Sequence, residues 1–73
     1  MENATGRPGY EVVVGAVLDD RWVQWLGGHD LTYVDGQTVI GPIRDESALY
    51  AVLDKVRDFG LRLDGVRLAH PPA

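Results

Sequence analysis

No cysteine occurs in the 73 residues of the chain. Disulfide staples and cysteine-based zinc sites are therefore excluded. Basic residues are also few: 7 Lys and Arg stand against 11 Asp and Glu, for a net charge of −4. Arg7, Arg21, Arg44, Lys55, Arg57, Arg62 and Arg67 are scattered among carboxylates, so the clustered cations that grip a phosphate backbone are missing and nucleic acid is not an expected partner. No run approaches the roughly 18 apolar residues of a membrane span. The N-terminus lacks the basic and apolar regions of a secretory leader, which leaves the cytoplasm as the default location and the membrane out of the expected partners. Catalytic constellations are absent too. The two histidines, His29 and His70, have no serine, cysteine or further ligand placed to complete a triad or a metal set. No catalytic residue, metal or cofactor is therefore expected.

What is present is a well-punctuated α+β pattern. Leu49, Val52, Leu53, Val56 and Phe59 recur at helical spacing, which predicts one apolar helix face. Asp45 is placed to cap the first turn, and Glu46 sits where the helix dipole favours negative charge. Gly60 can adopt the left-handed conformation that ends a helix, with Leu61 folding back on the last turn.

Before that helix, the β-branched run Tyr10 to Leu18 predicts a central strand. Its Tyr10, Val12, Val14, Ala16 and Leu18 alternate with Glu11, Val13, Gly15 and Val17. Asp19-Asp20 offers a cap for a short helix from Arg21 to Leu26, stopped by Gly27-Gly28. A helix this short must lean on the sheet to form at all. Asp35-Gly36 between His29–Val34 and Gln37–Ile43 predicts a two-residue hairpin, because both turn residues accept positive φ. That turn sets Val34 against Gln37, Tyr33 against Thr38, Thr32 against Val39 and Leu31 against Ile40. Gly41-Pro42 is expected to end the pairing, since proline has no N–H for the ladder. Leu61 and Leu63 are expected in the core of a connection leading to a last short strand, Val66 to Ala69.

These elements make one domain over residues 9–69, with an N-terminal tail 1–8 and a C-terminal tail 70–73. The order β-α-β-β-α-β favours a ferredoxin-like two-layer sandwich, a four-stranded antiparallel sheet of order 4-1-3-2 with both helices on one face. The connection from Asp19 to Gly28 is barely long enough for a crossover, so a meander with the first two strands adjacent is the alternative.

Tyr10-Glu11, Leu18-Asp19-Asp20-Arg21-Trp22 with Trp25, Gly36-Gln37-Thr38 leading to Gly41-Pro42, Asp45 with Ala48-Leu49, and Val56-Arg57-Asp58-Phe59-Gly60-Leu61 together resemble a family of small uncharacterised bacterial proteins. The resemblance implies a fold and no activity. Among better-known ferredoxin-like families, ACT-type regulatory domains are the nearest analogue in length and topology, an analogy of fold alone. A copper-chaperone cysteine pair is replaced here by Asp19-Asp20.

Three sets of residues are candidates for function. Val13, Val17, Thr32, Val34 and Val39 fall on the sheet side opposite the expected helices. A contiguous apolar strip there would mark an interaction surface for a second copy or another protein. Trp22, Trp25 and His29 could line a pocket for a small ligand beside the short helix, although two large aromatics on one helix face are more often core. Asp20 or His29 could serve a small isomerase or cyclase, yet adjacent aspartates before a helix more often cap it. A chain of this length buries only about 60% of its unfolded surface, and association is one remedy. The expectation is therefore a non-enzymatic interaction module, with a small-molecule-binding regulatory domain as the alternative.

Overall fold

The helix from Glu46 to Asp58 (α2) forms as its spacing predicts. The Asp45 carboxylate accepts from the Ser47 N–H at 3.2 Å. At the other end Gly60 has φ 69°, with its N–H on the Arg57 carbonyl and the Leu61 N–H on the Val56 carbonyl. That pair of bonds satisfies the last carbonyls of the helix. The fold is that of a computed structural model, which describes residues 9–69; both expected tails, with His70, lie outside the described residues.

Four strands accompany α2: β1 (Gly9–Val14), β2 (Leu31–Val34), β3 (Gln37–Ile43) and β4 (Leu63–Ala69), with a one-turn helix α1 (Arg21–Trp25) between β1 and β2. Asp35 and Gly36 take φ of 51° and 80°. The hairpin register is the one that this turn dictates, from Val34↔Gln37 to Leu31↔Ile40. Across the sheet the order is β2-β3-β1-β4, which is 4-1-3-2 counted from the β4 edge, and every neighbouring pair is antiparallel. The meander alternative fails, because β1 pairs with β3 and β4 while β2, among the described residues, pairs with β3 alone.

The core lies on one side of the sheet. Val12, Val14, Ile40 and Ile43 meet Leu49, Val52 and Val56 of α2, with Leu18 and Leu26 closing the end beside α1. The two helices therefore share one face, but the ferredoxin-like expectation is met only coarsely, since α1 spans five residues rather than a crossover helix. Cover comes chiefly from α2, which packs over β1 and β3.

Several expected boundaries move, each for a visible reason. β1 ends at Val14 rather than Leu18, because Gly15-Ala16 bends. The bent segment is held by Thr38, a fully buried polar side chain. Its hydroxyl donates to the Ala16 carbonyl at 2.6 Å and accepts from the Leu18 N–H at 2.9 Å. β3 does not stop at Gly41-Pro42. It continues to Ile43 through a bulge that sets Tyr10↔Ile43 after Val12↔Ile40. Gly41 is required there: its φ is 142°, and a Cβ would meet the Tyr10 carbonyl oxygen at 2.6 Å. β4 begins at Leu63, not Val66, with Asp64 as the extra residue where the register shifts against Val13 and Val14. Leu63 is consequently a half-exposed strand residue rather than core.

Candidate functional site

The short helix is set by Asp19, whose carboxylate accepts from the Arg21 N–H at 3.0 Å and from the Arg21 guanidinium at 2.8 Å. The guanidinium holds the Asp19 carboxyl below its ordinary range. Asp20, at the N-cap position, makes no side-chain cap bond. The expected caps therefore reduce to Asp19 alone.

From α1, Trp22 and Trp25 meet edge to face with ring centroids 5.3 Å apart. Phe59, expected on the buried face of α2, instead sits against both indoles. It lies edge-on to Trp22 at 5.0 Å and stacked with Trp25 at 5.8 Å. Such pairs contribute about 0.5–1.5 kcal/mol beyond area burial. Trp22 is half-buried against the core, whereas Trp25 and Phe59 remain 52% and 47% exposed. Beside Trp25 is a shallow recess of about 430 Å³ lined by Asp20, Arg21, Gln24 and Trp25. His29 does not line it; its imidazole folds towards Gly27 past the helix stop. Of the three expected pocket residues, the two tryptophans come together and the histidine stays apart.

The five residues expected on the sheet's other side do not form one exposed strip. Val13, Val39 and Thr32 lie side by side across β1, β3 and β2. Val13 and Val39, however, are only 9% and 5% exposed. Charged groups flank them. Arg67 bonds Glu11 at 2.8 Å on one side, and Asp64 accepts from Gln37 and Arg62, each at 2.7 Å, on the other. Arg62 first, and Gln37 after it, hold the Asp64 carboxyl below its usual range. Val34 is exposed at the hairpin end, and Val17 is exposed but off the sheet, since β1 has already ended.

The apolar surface that sequence reasoning missed lies on the helix side, along β4. Val66 is opposite Val12, Leu68 opposite Tyr10 and Leu63 opposite Val14. All three share the face of the core yet are 43–50% exposed. The signal was available: Leu63, Val66 and Leu68 alternate once Asp64 is counted as a bulge. Among the described residues no group of three or more His, Cys, Asp or Glu could hold a metal ion, and no helix is long and apolar enough to cross a membrane.

Fold and surface together define a small α+β domain with a one-sided core and, among the described residues, exposed apolar side chains that include Trp25 and Phe59 by the short helix and Leu63, Val66 and Leu68 along β4. A model of a family described as a domain of unknown function (DUF8691) matches residues 9–67, and the chain belongs to that family. No curated protein and no solved structure matches it.

Proposed function

We propose that the protein is a non-enzymatic interaction module that associates with a second copy or another protein. The observation that carries this reading is the set of large apolar side chains left half in water on so small a domain. Trp25 and Phe59 form one patch, and Leu63, Val66 and Leu68 form another. Contiguous exposed apolar groups on a soluble domain mark interaction surfaces, and aromatic residues dominate the energetics of such surfaces. Thr32 and Val34, on the side first expected to bind, add a smaller exposed area, while Val13 and Val39 have little water left to lose. The arrangement is read as a reduced ferredoxin-like sandwich working in the cytoplasm.

The test is sedimentation of the wild type and of Trp25→Ala/Phe59→Ala and Val66→Lys chains, with a parallel comparison of what each retains on an affinity matrix. The wild type should sediment above its 8.0 kDa chain mass, or hold a partner that one variant of unchanged circular dichroism loses. A wild type that stays monomeric at high micromolar concentration and retains nothing beyond what the variants retain sinks the reading.

The recess beside Trp25 supports a second reading, a small-molecule-binding regulatory domain in the manner of ACT-type modules. An indole face with Asp20 and Arg21 at its rim suits a small polar ligand carrying an apolar or cationic group. Tryptophan emission that does not respond across a metabolite panel removes it.

A further inference from the structure

The two edges of the sheet differ in kind. β2 presents only Leu31 to Val34 before the Asp35-Gly36 turn, and short edge strands resist pairing with other chains. β4 presents seven residues, Leu63 to Ala69, with no proline or lysine among them and no neighbour on its outer side among the described residues.

We propose that β4 pairs antiparallel with the β4 of a second copy about a two-fold axis at Val66, joining two sheets into one of eight strands. The proposal rests on the interaction reading above and names its partner. The β1 register places Leu63, Val66 and Leu68 on the helix side and Gly65 and Arg67 on the other, with Asp64 as the extra residue. An axis at Val66 sets that valine against its own copy and Gly65 against the second copy's Arg67. With Asp64 again the extra residue, Leu63 faces the second copy's Leu68. Apolar side chains then meet along the whole helix-side row. On the other side each Arg67, its guanidinium bonded to Glu11 of its own chain, stands beside a glycine, above which no heavy atom lies within 4 Å of where a Cβ would stand.

Other registers are worse. A slip of one residue turns Val66 and Leu68 against Gly65 and Arg67 of the opposite face. Moving the axis to Arg67 sets two arginines directly opposite each other, a destabilising like-charge pair. Moving it to Gly65, with Asp64 again the extra residue, sets Arg67 against the second copy's Arg62, another like-charge pair. Of these registers only the one centred on Val66 is self-complementary, and an unrelated strand has no reason to match it; this favours a second copy over another partner.

A single introduced cysteine tests the register, because the chain has none of its own. Directly opposed residues in an antiparallel ladder have Cα atoms about 4.5–5.5 Å apart, within the span of a disulfide. The full-length Val66→Cys protein should oxidise to a covalent dimer, whereas Val34→Cys at the other edge should remain monomeric. Val66→Lys should keep its circular dichroism and lose the dimer seen by sedimentation. A wild type that is monomeric at high micromolar concentration overturns the proposal. So does a dimer in which Val34→Cys cross-links as readily as Val66→Cys, or in which Val66→Lys associates unchanged; either result leaves the interaction reading standing on another surface. If Val66→Lys fails to fold, cross-linking of the two cysteine variants still separates the β4 edge from the β2 edge.

Discussion

Val12 and Val66 are direct partners across two hydrogen-bonded strands and point to the same side of the sheet, yet Val12 is sealed and Val66 is 43% exposed. The difference is one of width. A helix with its side chains is about 10–12 Å across and strands are about 4.8 Å apart, so one helix covers roughly two strands. α2 lies over β1 and β3. α1 has five residues and closes the end near Leu18 and Leu26. Among the described residues nothing is left to cover β4, so its inward-pointing residues belong to the core face by direction and to the surface by exposure. An uncovered strip can therefore arise on the helical side of a sheet as well as on the bare side.

The sharpest way to break this comparison is to truncate one residue from each part. Ile40→Ala, in the covered part, should cost about 2–5 kcal/mol by the lost burial and the cavity it leaves. Leu68→Ala, in the uncovered part, should stay within about 0.5 kcal/mol in dilute solution. Urea unfolding of both variants measures the contrast, and equal losses would refute the width argument. Next in size is Thr38→Val, which removes the partner of two backbone groups and should cost about 1–3 kcal/mol. Broadened amide resonances over Ala16 to Leu18 would locate that loss. Asp45→Ala should lower stability by about 1 kcal/mol through the α2 cap, seen as a reduced melting temperature with the native spectrum retained.

The smallest effect concerns the charges that flank Val13 and Val39. The Asp64 carboxyl is held below its ordinary value, so its stabilisation is present at neutral pH. It is lost as pH falls through the usual carboxylate range towards the folded-state value. Asp64→Asn should therefore melt earlier than wild type at pH 7 and converge with it in acid. Melts that stay parallel across the series would show that the carboxylate contributes nothing.

The amino-acid order alone specified the local structure. It defined α2 with its Asp45 cap and Gly60 stop, and the Asp35-Gly36 hairpin with its register. It also defined the alternation that sends Val12, Val14 and Ile40 to one side and Val13 and Val39 to the other. Each follows from interactions among residues close in the chain, namely caps, turn conformations and periodicity, and a single sequence displays those directly. Three features were settled only by the packed chain. Thr38 reaches back to Ala16 and Leu18 and ends β1 early; the Gly41 bulge lets β3 run past a proline; and Phe59 leaves the core for the two indoles. Which apolar residues stay wet was also settled there, because exposure depends on how many strands a helix of fixed width can cover, and that is a property of the assembled layers rather than of any one segment.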